Sequence, residues 1–251
     1  MAEVRDPSKL KVFISYSLQD AVFADDLEVG LKALGFDVLI DRQLSGGEAW
    51  KATLAEYIRQ CDTVVFLLSP KSAKSDMCQW EVDQATNHSK RILPAICESL
   101  TNEPVPEALK GLQYIFFTGG RNFRGLLDLR DALNRDLEWI YEHTRYADLA
   151  HRWMTGDRST DRLMSGKDIE EAKAWTARWR SPAPEVTALQ REFITASEQA
   201  QHVRDSDRER QLIEREQLLK RAEAAYAERE LALKAAEAAR VEAEKWLGRL
   251  P

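Results

Sequence analysis

Short apolar runs alternate with amphipathic segments through the first half of the chain. Five runs are rich in β-branched, aromatic and other apolar residues, as buried strands are: 12–16, 36–40, 63–68, 91–96 and 112–117. Between them, the segments that begin near Asp20, Trp50 and Asp76 carry apolar residues at helical spacing. Strands and helices that alternate in this way predict an α/β fold, with a parallel sheet covered by helices on both faces.

The carboxyl ends of the predicted strands gather three segments that carry polar side chains. In open parallel sheets, ligands bind beyond the carboxyl ends of the strands. We therefore expect the segments 15–17, 41–50 and 69–81 to converge on one site. The second of these is a loop with a glycine pair, Gly46 and Gly47, which lets its backbone move or adopt a positive φ.

One carboxylate, that of Glu81, occupies an unusual position in the helix after the third strand. Cys78, Val82 and Ala85 form an apolar stripe at helical spacing, and Glu81 lies at its edge. A charge beside a buried stripe is partly desolvated, which raises its pKa or holds it ready for a partner. Glu81 is therefore a site candidate, and a surface glutamate in a salt bridge is the alternative reading.

The start of the same helix has the spacing of a capping box. Asp76 is predicted to cap the helix, with Gln79, three residues later, reaching back to Asp76. Thr187 and Gln190 have the same spacing, which predicts a second capping box ahead of a long helix.

The second half of the chain is predicted to be helical. A helix from Phe123 to about His143 closes the first domain, whose boundary falls near Thr144. The helical pattern then breaks at 156–157 and at 182–184, where glycine and proline occur. The predicted units are a domain over 1–144, a helical extension over 145–200 and a long charged helix over 201–251.

The long helix is predicted from its composition. Neither glycine nor proline occurs between Glu185 and Leu247, and Ala, Glu, Arg, Gln and Lys dominate. Four large side chains recur every seventh residue: Leu212, Leu219, Tyr226 and Leu233. The other core positions of this heptad are mostly alanine or charged, so a weak coiled coil and a solvated single helix fit equally well. Pairs such as Glu216 with Lys220 add only about 0.2–0.5 kcal/mol each.

Composition excludes several classes of function. The net charge of -6 and the lack of a long basic run argue against a nucleic-acid partner. The three cysteines, Cys61, Cys78 and Cys97, show no metal-ligand spacing and no disulfide framework, which favours a reducing compartment and no metal site. The longest apolar run, 64–68, is far too short to span a bilayer, and the long helix has no strong apolar face. We expect a cytoplasmic protein that does not bind membranes.

From residue chemistry alone, Glu81 fits equally well a structural salt bridge and a reaction that needs only one carboxylate. The chain has neither a Walker loop nor a Gly-x-Gly-x-x-Gly sequence, so ATP-driven chemistry is unsupported. All four histidines are expected at the surface: His88, His143, His151 and His202. Cleaving a glycosidic bond normally takes two carboxylates. In a nicotinamide dinucleotide, however, the pyridinium leaves as a neutral molecule, so one glutamate that stabilises the cationic sugar is enough.

From about Lys11 to Thr144 the chain resembles a TIR (Toll/interleukin-1 receptor) domain of the bacterial type. The run 13–17 matches the first TIR box, and 41–50 matches the second box with its mobile BB loop. Ser75, Cys78 and Glu81 match the Ser…Cys-x-x-Glu signature of TIR domains that consume NAD. Three motifs in this order make the resemblance specific, and it covers a little over half of the chain.

The resemblance implies a flavodoxin-like fold and a catalytic role for Glu81, with NAD as the substrate and no separate cofactor. It implies that the remaining site residues bind the substrate: Ser15, Tyr16, Ser17, Asp41, Trp50, Ser75 and Cys78. Asp41 is expected near the ribose or at the loop hinge, and Trp50 offers an aromatic face. The family also implies that cleavage requires self-association, in which the BB loop of one domain completes the site of its neighbour. The C-terminal helix is a second candidate for self-association.

One position departs from the family pattern. Family members often carry an aromatic residue just before the cysteine, where this chain has Met77, and the nearby tryptophan is Trp80. The departure favours hydrolysis to ADP-ribose over cyclisation, and Trp80 is expected to pack the helix against its neighbours. The leading hypothesis is an NAD glycohydrolase of bacterial immunity. The alternative is a non-catalytic TIR module that acts as a signalling scaffold.

Overall fold

The computed structural model describes residues 9–42, 48–101 and 103–247, and its strands form one parallel sheet. The strands are β1 (Lys11–Ser15), β2 (Asp37–Ile40), β3 (Thr63–Leu68), β4 (Arg91–Ile96) and β5 (Ile115–Phe116). The helices are α1 (Ala21–Ala33), α2 (Glu48–Gln60), α3 (Asp76–Asn87), α4 (Asn122–Leu133), α5 (Leu137–Thr155), α6 (Lys167–Ala177) and α7 (Ala188–Leu247). The strand order in the sheet is β2-β1-β3-β4-β5.

Helices cover both faces of this sheet. On one face α1, α4 and the start of α5 enclose a core around Leu31, Val65 and Leu129. On the other face α2 and α3 pack on Phe13 and Val64. Because β3 is the central strand, all six of its residues are buried, which explains its continuous apolar run. The predicted α/β fold with a parallel sheet is confirmed.

The last strand is shorter than the sequence predicts. The apolar run 112–117 forms a strand only at Ile115 and Phe116, which pair with Ala95 and Ile96 of β4. The preceding residues are turned instead, since the amide of Leu112 donates to the carbonyl of Leu109 at 3.1 Å. A turn of this kind removes Leu112 from the ladder and shortens the edge strand.

The predicted helix from Phe123 to about His143 is two helices, α4 and α5. The chain reverses at Asp136, whose φ of 52° lies in the left-handed region. The Arg91 guanidinium holds the end of α4, because it donates to the carbonyls of Leu133 and Arg135 at 2.9 and 2.7 Å. A tertiary contact from β4 therefore ends the helix, and a local pattern cannot reveal it.

The extension after the sheet has its own aromatic core. Trp139 stacks on Trp175 with 4.6 Å between the ring centroids, and the centroid of the Tyr146 ring lies 4.9 Å from that of Trp175. His143, expected at the surface, is buried beside them, and its Nε2 lies 3.0 Å from the carbonyl oxygen of Glu185. Burial lowers the pKa of His143 to about 4, so it stays neutral. The expectation for His143 was wrong because Trp175 of α6 and the segment that leads into α7 pack over it.

The long helix begins with the predicted capping box. The Thr187 amide donates to Gln190 Oε1 at 2.7 Å, and the Gln190 amide donates to Thr187 Oγ1 at 3.1 Å. The helix α7 then runs for 60 residues. The predicted ion pair of Glu216 with Lys220 is present, with 2.7 Å between Oε1 and Nζ, and Glu230 with Lys234 forms a second pair at the same distance.

The chain divides into two compact units, Met1–Ser197 and Glu198–Pro251. The first contains the sheet and the extension, and the second contains the remainder of α7. The predicted division into 1–144, 145–200 and 201–251 stays a prediction. Nowhere in the described residues is a helix both long and apolar enough to cross a membrane.

Candidate functional site

A cleft of about 570 Å³ lies at the carboxyl end of the sheet, within the size range of small-molecule sites. Its walls include seven of the eight predicted site residues: Tyr16, Ser17, Asp41, Trp50, Ser75, Cys78 and Glu81. The eighth, Ser15, ends β1 and contacts Glu81 directly. The structure therefore brings all of the predicted site residues together, as expected for segments that follow neighbouring parallel strands.

Glu81 is a buried acid that faces this cleft. Its side chain is on the second turn of α3, and only 6% of the residue is exposed. Ser15 Oγ donates a hydrogen bond to its Oε2. Burial raises the pKa of Glu81 to about 7, the negative charge of Asp41 adds to the rise, and the Ser15 hydrogen bond opposes it. At neutral pH the carboxyl group therefore exists in both protonation states.

The helix that carries Glu81 is capped by Ser75, not by Asp76. Ser75 has an extended backbone, with φ of −86° and ψ of 117°, and its Oγ accepts from the Cys78 amide at 3.3 Å. Asp76 is already the first helical residue, and the Gln79 side chain donates to Asp83 at 2.9 Å. The predicted capping box at Asp76 was therefore wrong, because the cap is Ser75 and the Gln79 side chain bonds to Asp83. Ser75 lines the cleft while it fixes the start of α3.

Cys78 lies one turn before Glu81 and also lines the cleft. Only 1% of Cys78 is exposed, and burial raises the pKa of its thiol to about 12. The thiol is therefore protonated at neutral pH and is not a nucleophile. It contributes a small apolar surface beside the carboxyl group of Glu81.

The opposite wall is built around Asp41, which follows β2. Tyr16 Oη donates to the carbonyl of Asp41 at 2.7 Å, and Trp50 Nε1 donates to its Oδ2. Burial and the nearby charges of Asp25 and Asp41 raise the pKa of Tyr16, so the phenol remains a donor. These two bonds hold Asp41 at the edge of the cleft.

An ion pair holds the first residue after Asp41. Glu28 on α1 is 7% exposed and bonds to the Arg42 guanidinium and to Lys32, the latter at 2.7 Å. Arg42 also lies 3.1 Å from Asp25. The start of the loop is thereby attached to α1. The glycine pair, Gly46 and Gly47, lies outside the described residues, so the mobility of the loop stays a prediction.

The structure adds two lysines to the cleft wall that the sequence reading missed, and both are paired with carboxylates. Lys71 and Lys74 line the cleft beyond β3. Lys71 Nζ lies 3.1 Å from Asp20 Oδ1 and 2.8 Å from Glu98 Oε2, and Ser69 Oγ donates to Asp20 at 2.6 Å. The signal was available, since both lysines belong to the segment 69–81 that was expected at the site. Without a motif, however, they cannot be told from surface lysines.

Met77 and Trp80, the two residues at which the sequence departs from the pattern it resembles, lie in different surroundings. Met77, which stands in the place of the usual aromatic residue, lines the cleft. Trp80 packs against the core formed by Phe13, Leu54 and Ile58, as expected. The cleft therefore has the aromatic side chains of Trp50 and Tyr16 on one wall and a thioether on the other.

These contacts define what the site can do chemically. Glu81 lies in a partly enclosed cleft, where the charge of its carboxylate acts more strongly on a bound cation than in water. Within 9–42, 48–101 and 103–247, no cluster of three or more His, Cys, Asp and Glu side chains is arranged to hold a metal ion. Hydroxyl, phenol and indole groups surround the carboxyl groups of Glu81 and Asp41 in this cleft.

Residues 12–130 match a family model described as TIR domain, and we conclude that this part of the chain is a TIR domain. No curated protein matched the chain.

Three of the solved structures that match illustrate the range of relatives. The TIR domain of the Toll-related receptor TRR-2 from Hydra magnipapillata is 17% identical, with 49% of this chain and 98% of that chain covered and a TM-score of 0.43. The CMP N-glycosidase BcmB from Clostridium botulinum is 17% identical, with 47% and 98% covered and a TM-score of 0.36. The TIR domains of the activated Roq1 resistosome, which recognises the pathogen effector XopQ, are 19% identical, with 55% and 84% covered and a TM-score of 0.33.

Proposed function

We propose that this chain is a cytoplasmic NAD glycohydrolase of bacterial immune signalling, which releases nicotinamide when its TIR domains self-associate. The observation that carries the proposal is the buried carboxyl of Glu81, which faces a ligand-sized cleft and has a pKa of about 7. A surface salt-bridge glutamate has neither property. The choice of NAD rests on the resemblance of the three motifs to TIR domains that consume it.

The proposed reaction breaks the bond between C1′ of the ribose and the pyridinium nitrogen. The bonding electrons pass to that nitrogen, so nicotinamide leaves neutral and needs no proton from an acid. The positive charge moves to the ribose, where the carboxylate of Glu81 stabilises it. Water then adds to C1′ and loses one proton to solvent or to Glu81, which gives ADP-ribose. Atoms and charge balance without a second carboxylate.

The positive charge of the substrate also affects the ionisation of Glu81. A positive pyridinium ring close to Glu81 favours the ionised carboxylate and opposes the effect of burial. The Ser15 hydroxyl, which donates to Oε2, favours the same ionised state. The positive charge of the substrate and the Ser15 hydrogen bond therefore both favour the ionised form of Glu81 when the substrate enters the cleft.

The other wall is proposed to orient the substrate. The Trp50 ring offers an aromatic face for the nicotinamide ring, and the carboxylate of Asp41 lies where it can accept from a ribose hydroxyl. Tyr16 fixes Asp41 through the carbonyl bond of 2.7 Å. Ser17 lines the same part of the cleft.

Hydrolysis is favoured over cyclisation as the outcome. In relatives that cyclise NAD, an aromatic residue before the cysteine is expected to hold the intermediate for ring closure. Here that place holds Met77, and Trp80 is committed to the core. Linear ADP-ribose is therefore the proposed product.

Chromatography of NAD incubated with the purified full-length chain tests the proposal. The experiment uses high protein concentration, because self-association is proposed to be required. We expect the native chain to release one nicotinamide for each ADP-ribose. The control Asp83→Asn, which alters an exposed acid on the same helix, should release the same amounts as the native chain. Intact NAD in every sample, or the same release from Glu81→Gln, would contradict the proposal.

A non-catalytic scaffold is the second candidate. The Ser15 hydrogen bond satisfies Glu81 within the fold, which also suits an acid with a structural role. Under this alternative, assembly with other TIR domains survives Glu81→Gln and is lost when the Gly46–Gly47 loop is stiffened. Light scattering with both variants, beside the NAD measurement, separates the two candidates.

A further inference from the structure

Four large side chains form an exposed column along α7: Leu212, Leu219, Tyr226 and Leu233. Their exposed fractions are 60%, 56%, 73% and 59%. Residues seven apart lie two turns apart on one face of a helix. A row of apolar side chains this exposed is typical of an interaction surface.

The residues between them define a seam of heptad type. When the column is placed at position a, position d alternates between arginine and alanine: Arg215, Ala222, Arg229 and Ala236. All of these side chains are exposed. We call the column and these four residues the α7 seam.

The charges beside the seam decide which partner it fits. Glutamate occupies position e in six successive heptads: Glu209, Glu216, Glu223, Glu230, Glu237 and Glu244. Positions e and g flank the core of a coiled coil and set the orientation of its helices. In an antiparallel pair of this helix, e faces e along the whole seam, so that glutamates oppose glutamates.

A parallel pair avoids this repulsion. There e faces g of the second copy, and position g holds no acidic residue over the seam: Gln211, Leu218, Ala225, Ala232 and Ala239. The glutamate stems can therefore lie across small or apolar neighbours while their carboxylates remain in water.

The arginines at position d face their own copies across a parallel pair, and this repulsion is offset by the glutamates at position e. In a parallel pair, a side chain at d packs beside position e of the other helix. Arg215 then meets Glu216 of the second copy, and Arg229 meets Glu230. Their alkyl stems cover the seam and their guanidinium groups reach its open edge, which is available in a two-stranded coil.

We propose that α7 binds a second copy of this chain, parallel and in register, through the α7 seam. This assembly goes beyond NAD cleavage and does not depend on it. A parallel pair places both copies of Glu198 at the same end of the coil. It therefore raises the effective concentration of one TIR domain around the other.

The mass of the full-length chain in solution tests the seam. We expect twice the chain mass of 28.7 kDa by sedimentation or light scattering. Leu219→Glu with Leu233→Glu should restore the single-chain mass. The matched control is Ile213→Glu with Leu231→Glu, which changes two exposed side chains outside the seam, at 50% and 69% exposure, and should leave the doubled mass intact.

Crosslinking tests the orientation. Arg208 occupies position d near the start of the seam, so Arg208→Cys places two thiols face to face in a parallel pair. In an antiparallel pair they lie roughly 45 Å apart. We expect a covalent dimer after mild oxidation of this variant, and none from the native chain with Cys61, Cys78 and Cys97.

Three outcomes would overturn the proposal. These are a single-chain mass for the native protein at every concentration, an equal loss of the dimer in both pairs of substitutions, and a dimer that does not crosslink at residue 208. The first would assign the α7 seam to a different partner, and the third would assign it to antiparallel pairing. None of these readouts uses NAD, so the proposed enzyme activity stands or falls separately.

Discussion

The hydroxyl of Ser15 donates a hydrogen bond to Oε2 of Glu81, although the two residues are 66 positions apart in the sequence. Ser15 ends β1 and Glu81 lies on α3, so the pairing follows from the packing of that helix on the sheet. The bond opposes the effect of burial on the pKa of Glu81. Ser15 thereby keeps the pKa of the proposed catalytic acid lower than burial alone would make it.

Removing this hydroxyl should shift the pH dependence of NAD cleavage. In Ser15→Ala the carboxylate loses its donor, so the pKa of Glu81 rises and the acid limb of kcat/KM moves to higher pH. For a one-unit rise, activity at pH 7 falls by roughly fivefold and recovers in alkaline buffer. Ser15→Thr, which keeps a hydroxyl, is the control. An unchanged pH profile in Ser15→Ala would show that Ser15 does not affect the pKa of Glu81.

Glu81 should also make the fold less stable as pH rises. Its pKa is about 7 in the folded protein against an ordinary value of 4.5, so between these values the folded chain binds the proton more tightly than the unfolded chain. The free energy of unfolding therefore falls through this window and is lower by about 3 kcal/mol above it.

Glu81→Gln should remove this dependence. The amide carries no charge, so the variant should be the more stable protein at pH 8 and close to the native chain near pH 4.5. Urea unfolding at a series of pH values measures the difference. If the free energy of unfolding changes with pH in the same way for both proteins from pH 4.5 to 8, Glu81 is already ionised in acid and its pKa is not raised by folding.

The corrected helix cap gives a third prediction. Ser75→Ala removes the acceptor for the Cys78 amide and should cost about 1 kcal/mol of stability. Asp76→Ala removes only a charge in the first turn and should cost less, roughly 0.3–1 kcal/mol. Thermal unfolding of both variants compares the two. A larger loss of stability in Asp76→Ala than in Ser75→Ala would indicate that Asp76 caps the helix, as the sequence predicted.

The ion pair at the start of the loop should affect substrate binding. Glu28→Gln weakens the hold on Arg42, which precedes the loop and follows Asp41. Since such pairs are worth up to about 1 kcal/mol, we expect KM for NAD to rise by up to roughly fivefold with little change in kcat. Lys32→Met, which removes the other partner of Glu28, is the control. An equal rise of KM in both variants would show that the substitutions act through α1 and not through the contact of Glu28 with Arg42.

The extension should be needed for a stable domain. The helix α5 gives Ile140 to the core of the sheet and Tyr146 and Trp153 to the extension, so a cut at Thr144 divides it. We expect a fragment of residues 1–144 to unfold at lower denaturant than a fragment of residues 1–197. Equal midpoints would show that the first 144 residues form an independent domain.

Much of the fold could be predicted because its patterns are local. The all-apolar run of β3 and the alternation of strands and helices predict a parallel sheet, and the glycine- and proline-free tail predicts α7. The convergence of Ser15, Asp41 and Glu81 follows from a general property of parallel sheets.

The remaining features depend on contacts between distant segments. At the break between α4 and α5, Arg91 of β4 binds the carbonyl of Leu133, which ends α4, and that of Arg135 just beyond it, and no local pattern records these contacts. The burial of His143 requires the aromatic core of the extension to form around it. Lys71 belongs to a segment that was expected at the site, but no motif distinguishes it from a surface lysine until the fold places it in the cleft wall.

The most direct measurement compares nicotinamide release by the native chain and by Glu81→Gln, at equal concentrations and at pH 8. The carboxylate is ionised at that pH, so its electrostatic effect is fully present in the native chain. We predict a loss of roughly 10²–10³-fold in the variant, with the fold intact by circular dichroism. Release at the native rate from Glu81→Gln would contradict the catalytic role of this carboxyl group.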